Sequence, residues 1–142
     1  MKSGVGLIGL MGFSIAALVS VSVGFNSTSV QAREDTAKPE FYTTRVKPIF
    51  DTNCARCHGG PNHRGGLNMD TREALLKGGR DGAVVVPGDP AKSLLLTLIR
   101  HEGPANDPKD MPPNKSKLSD DDIKTVTDWI KAGAIMPPAV AQ

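Results

Sequence analysis

Cys54-Ala55-Arg56-Cys57-His58 holds the only two cysteines of the chain, three residues apart, with a histidine directly after the second. Three chemistries suit that set. Two thiols and an adjacent imidazole form the attachment pattern for covalent haem, in which both sulfurs add to the porphyrin vinyl groups and the histidine is carried beneath the iron. A C-x-x-C pair is also the mark of a redox dithiol, which calls for a strand before it and a helix after it. Finally, Cys54, Cys57, His58 and His63 make a complete set of zinc donors by type, though not at finger spacing.

If haem is the occupant, the sixth iron ligand separates an electron carrier from a reactive centre. A thioether sulfur there favours Fe(II), raises the reduction potential and closes the iron to substrates. Beyond residue 32 the methionines are Met69, Met111 and Met136, and His63 and His101 offer nitrogen instead. Met69 follows His58 too closely for an easy return to the opposite face, and its alternation with Leu67 reads as packing. Met111 lies in GPANDPKDMPPNKSK with two expected helices between it and His58. Pro112 and Pro113 stiffen the backbone just after it, lowering the entropy cost of fixing the sulfur. Met111 is therefore the expected distal ligand. Met136-Pro137-Pro138 repeats the local pattern and is its rival, while His63 and His101 read as loop and helix-end residues.

The elements that must hold these residues read as short helices joined by long loops, an all-α class. Val46, Ile49 and Phe50 have helical spacing within 41–53, leading into the cysteines, with Pro48 as an interruption. Asp70-Thr71-Arg72-Glu73 is a capping-box-like start for a helix of two turns that stops at Gly78-Gly79. Asp89-Pro90 opens a helix expected over 90–101, with Leu94, Leu95, Leu98 and Ile99 inward. Ser119 caps a third, with Asp120, Asp121 and Asp122 in its first turn and Ile123, Val126, Trp129 and Ile130 on its apolar face. Val84-Val85-Val86 is too short to anchor a sheet.

Ahead of this domain, residues 1–32 read as an export signal, with one lysine before an uncharged apolar run and small residues at Val30-Gln31-Ala32. An uncleaved membrane anchor over residues 4–24 is the alternative. Residues 33–40 read as a polar leader, 41–136 as the domain and 137–142 as a tail. The 15 acidic residues all follow Ala32, and only Lys2 of the 17 basic ones precedes it, so the mature chain is close to neutral. Both signs are interspersed, which gives no stripe for nucleic acid and no polybasic membrane patch. Only Phe41, Tyr42, Phe50 and Trp129 supply aromatic bulk beyond Ala32, leaving core space for a group that is not peptide.

Three stretches, VKPIFDTNCARCHGG, GGLNMDTREALLKGGRDGAVVVPGDPAKSLLL and DMPPNKSKLSDDDIKTVTDWIKAGA, stand in order between Val46 and Ala134. Together they resemble the planctomycete-type cytochrome c domain, a branch of the small monohaem cytochromes c. The resemblance implies a cytochrome c fold in which the first and last helices cross beside one haem c. It implies thioethers at Cys54 and Cys57, His58 as proximal and Met111 as distal iron ligand, and Trp129 packed on the Ile49 and Phe50 side. The expected function is single-electron transfer between redox protein partners, by an exported, periplasmic monomer that is not an enzyme. The alternatives are a small peroxidase-like haem enzyme, with His101 or His63 assisting proton transfer, and a haem-based redox sensor.

Overall fold

The computed structural model describes residues 35–103 and 110–139. Every regular element among these residues is helical, as the sequence pattern predicts. The export signal lies outside the described residues, and no helix among those described is long and apolar enough to cross a membrane.

The first element is a rod that begins at Pro39, ahead of the expected start at 41, because proline suits a first helical position where no N–H is needed. It runs through α1 (Pro39–Phe41), a wide turn at Tyr42–Val46 and α2 (Lys47–Asn53). Pro48 has no N–H to give to the preceding turn. The rod carries it just behind the wide turn, which closes with the Lys47 N–H on the Tyr42 carbonyl. Hydroxyls of Thr43 and Thr44 bond back to the carbonyls of Pro39 and Glu40, giving the widened stretch additional hydrogen bonds. Cys54 then leaves helical geometry, and one turn, α3 (Ala55–His58), carries Cys57 and His58.

After a loop, α4 (Arg72–Lys77) starts on Thr71, whose hydroxyl accepts the Ala74 N–H at 3.1 Å. The cap falls one residue later than the Asp70 to Glu73 spacing predicts, because the Asp70 carboxylate is engaged elsewhere. The single helix expected over 90–101 is two pieces, a tight turn at Pro90–Lys92 and α5 (Leu94–Ile99). Asp89 caps the first as expected, accepting the Lys92 N–H. The break is at Ser93, which is 1% exposed. Its hydroxyl accepts the Val86 N–H at 2.9 Å and donates to the Asp89 carbonyl at 2.9 Å. A buried serine satisfied by local backbone competes with the helix and here stops it.

The last element, α6 (Asp120–Lys131), is capped by the Ser119 hydroxyl on the Asp122 N–H, with three aspartates in the first turn complementing the helix dipole. Its buried face is Ile123, Val126, Trp129 and Ile130, as expected. Trp129 is fully buried, with its ring centroid 5.6 Å from Tyr42 and 5.7 Å from Phe50, so α6 packs against the first rod through nearly all the aromatic bulk the domain has.

Arg72 fastens the far end of α6. Its Nε donates to the Ala134 carbonyl at 2.9 Å and a terminal nitrogen to Gly133 at 3.0 Å. Those carbonyls follow the helix C-terminus, where a cation also meets the negative end of the dipole. Hydrogen bonds to a charged group are worth about 1.5–3 kcal/mol. Arg72→Ala is accordingly expected to lower unfolding free energy by roughly that amount in a urea titration. Arg72→Lys recovers only part of it, since an ammonium lacks the planar fork.

Candidate functional site

His58 is held by its neighbours more than by its own helix, which is a single turn. Its carbonyl accepts the Met69 N–H at 2.8 Å. Two residues on, the Gly60 N–H donates to the Asp70 carboxylate at 2.8 Å, and the Asp70 N–H donates to the Asn68 side chain at 2.7 Å. Gly59 sits so close to this clasp that a Cβ there would lie 2.9 Å from the Asp70 carboxylate. Residues 68–70 thus fix the chain directly after Cys57-His58.

A second wall comes from two glycine-rich turns. The Arg80 N–H donates to the Gly65 carbonyl at 2.7 Å, and the space at Gly79 is so tight that a Cβ would stand 2.8 Å from the same oxygen. This stitch brings Arg64 and Arg80, distant in sequence, to one rim.

The third wall is α5 and the loop after it. The Met111 N–H donates to the Leu98 carbonyl at 3.1 Å and the Leu118 N–H to Ile99 at 3.1 Å. Carbonyls at a helix C-terminus lack helical partners, and these take theirs from the two ends of the Met111 loop.

The three walls enclose a largely apolar cavity of about 270 Å³, with Cys54, His58 and Met111 in its lining beside Leu67, Leu95 and Ile99. An adjoining cavity of about 320 Å³ shares Cys54, His58 and Met111 and adds Cys57 and Pro113. Four residues singled out by type in the sequence therefore meet around one space. Arg64 and Arg80 line both cavities. Sequence reading passed over them, because nothing in their local pattern sets them apart from surface arginines.

Burial lowers the His58 pKa from its ordinary value, which favours the neutral imidazole that a metal requires. Its Nδ1 is buried with no hydrogen-bond partner. Burial also pushes the Cys54 thiol up, to about 11, with the neighbouring Cys57 adding to it. A redox dithiol needs the opposite, a thiol lowered toward neutrality. The zinc set does not converge either. His63 is paired through its ring with Asn68 at 2.9 Å on an exposed loop, and no cluster of three or more His, Cys, Asp or Glu suited to a metal occurs among the described residues.

Met69 is buried, as its alternation with Leu67 predicts, and it also borders the cavity. Met136 is buried in the core and is absent from the lining of both cavities, as are His63 and His101.

Two thiols, an imidazole and a thioether in the lining of two adjoining, largely apolar cavities form a donor set suited to a largely apolar macrocycle that carries a metal. Residues 54–115 match the planctomycete cytochrome C family. The matched segment runs from the first cysteine through the glycine stitch and α5 to just beyond Met111. No curated protein and no solved structure matches the chain. The α6 helix and the first rod, which close the core behind that segment, lie beyond the matched residues.

Proposed function

We propose that this protein is an exported monohaem c-type cytochrome that passes single electrons between redox proteins of the periplasm. The observation that carries the reading is the meeting of Cys54, His58 and Met111 around one apolar cavity inside a segment that matches a cytochrome family.

Bound haem c supplies an iron that alternates between Fe(III) and Fe(II), one electron at a time. Cys54 and Cys57 would hold the macrocycle through thioether bonds. His58, whose burial favours the neutral imidazole, would give a ring nitrogen to the iron, and Met111 would give its sulfur. The leucine and isoleucine wall excludes water. Arg64 and Arg80, at the rim, are the cations available to the carboxylates of the group. Partner contacts are small and brief, as electron-transfer interfaces usually are, and the protein acts as a monomer with no role for nucleic acid. In the enzyme alternative His63 or His101 would move protons, and neither borders the cavity, so the carrier is favoured.

Full-length protein produced with the haem-attachment machinery tests this directly. The denatured protein is expected to keep the mass of one haem and to show the absorption bands of a c-type chromophore. Cys57→Ala leaves at most one thioether, and the Cys54→Ala/Cys57→Ala pair releases haem on denaturing extraction. A product without haem sinks the proposal, and rapid peroxide turnover by the untreated protein replaces it with the enzyme.

A further inference from the structure

α5 ends in an unusual way. His101 lies in the left-handed backbone region, with φ 59°. Its N–H donates to the Leu98 carbonyl at 3.2 Å and the Glu102 N–H to Thr97 at 3.0 Å. This paired closure normally places glycine, or sometimes asparagine, at the position His101 holds, because any larger side chain is strained there. The helix end has no need of an imidazole. A residue kept in a costly conformation points to a role for its side chain.

That side chain is 22% exposed, and its Nδ1 stands 3.9 Å from the Asp110 carboxylate. Its Nε2 is buried without a hydrogen-bond partner. Asp110 immediately precedes Met111, whose N–H is bound to the Leu98 carbonyl, the same oxygen that accepts from His101. The last turn of α5 thus anchors both ends of the Met111 loop through backbone, and His101 is the side chain that meets the start of that loop.

We propose that His101 is a positioning residue for Met111. Seated against Asp110, it holds the start of the 110–118 loop on the end of α5 and keeps the thioether at the cavity border. The inference rests on the reading of Met111 as the sixth iron ligand. It has a consequence that helix capping alone does not: glycine at 101 relieves backbone strain while loosening the ligand, so stability and ligation move in opposite directions.

The test uses full-length, haem-loaded protein in the ferric state, with imidazole as the probe. Imidazole competes with the thioether, so its apparent affinity reports how often the sulfur leaves the iron. His101→Gly is expected to melt at the same temperature as wild type or higher, yet to bind imidazole roughly tenfold more tightly, a change of about 1.4 kcal/mol. His101→Asn, which also tolerates the left-handed region, is expected to behave in the same way. Met111→Ala sets the upper limit of affinity. If wild type already binds imidazole as tightly as Met111→Ala, the reading of Met111 fails. If Met111→Ala binds more tightly but both His101 variants match wild type, the positioning role is overturned while that reading stands. A melting temperature lowered in both His101 variants also overturns it, since that is the mark of a purely structural residue.

Discussion

Met111→Ala is expected to abolish the weak far-red absorption band that a methionine sulfur gives on ferric haem, while Met136→Ala leaves the band in place. The two methionines share a local pattern, Met-Pro-Pro, but differ in surroundings. Met111 borders both cavities beside Cys54 and His58 and is only half-buried. Met136 is 8% exposed, belongs to the core cluster and follows the turn that Arg72 fastens. The substitutions should therefore separate cleanly. Removing a buried methionine side chain costs about 2–5 kcal/mol, so Met136→Ala is expected to lower the midpoint of unfolding by urea with the folded spectrum unchanged. Met111→Ala should lower the reduction potential, since the thioether favours Fe(II), and leave a sixth position that exogenous ligands fill readily. Retention of the band in Met111→Ala with its loss in Met136→Ala would reverse the assignment.

What the sequence made legible divides along a physical line. Ser119 and Asp89 were readable as caps because a cap is a bond between a side chain and a backbone N–H three residues away. The inward face of α6 was readable because helical spacing decides which side chains share a side, whereas on α5 the spacing picked Leu95 and Ile99 but missed Leu96, which is buried while Leu94 and Leu98 are half-buried. The Ser93 break was not, because it depends on the burial of that hydroxyl against Val86 and Asp89, and burial is a property of the folded chain. Asp70 illustrates the same limit. It was readable as part of a capping box, yet its carboxylate holds Gly60 and the chain after His58, a contact ten residues away. Arg72 reaches carbonyls more than sixty residues on, and Arg64 and Arg80 line the same cavities only because two glycine turns are stitched together. At the candidate site, residue type and spacing singled out Cys54, Cys57, His58 and Met111, whereas the rim and the clasp that position them became visible only in three dimensions.

Trp129→Ala is expected to be the most damaging single change to the fold while leaving covalent attachment untouched. The indole is fully buried, contacts the rings of Tyr42 and Phe50, and donates its N–H to the Ile135 carbonyl at 2.8 Å. Truncating a buried tryptophan to alanine costs about 3–5 kcal/mol, and the net stability of a domain is only about 5–15 kcal/mol. The expected result is a fall in melting temperature of some tens of degrees, at several degrees per kcal/mol for a domain of this size. Few other large side chains are available to fill the space, since the aromatic core is essentially these three rings. Trp129→Phe retains a ring against Tyr42 and Phe50 and loses the bond to Ile135, so it should fall between the two. On the haem reading, the thioethers would depend on Cys54 and Cys57, three residues apart in one short stretch that needs no distant packing to be joined to haem, so the denatured Trp129→Ala protein should carry the same haem mass as wild type. The Met111 contact depends on the end of α5 and its loop being in place, and it should be lost at a much lower temperature, visible as early disappearance of the far-red band on heating. A Trp129→Ala protein that keeps the wild-type melting temperature would mean that α6 does not close the core behind the site, and that the Met111 loop is held by α5 alone.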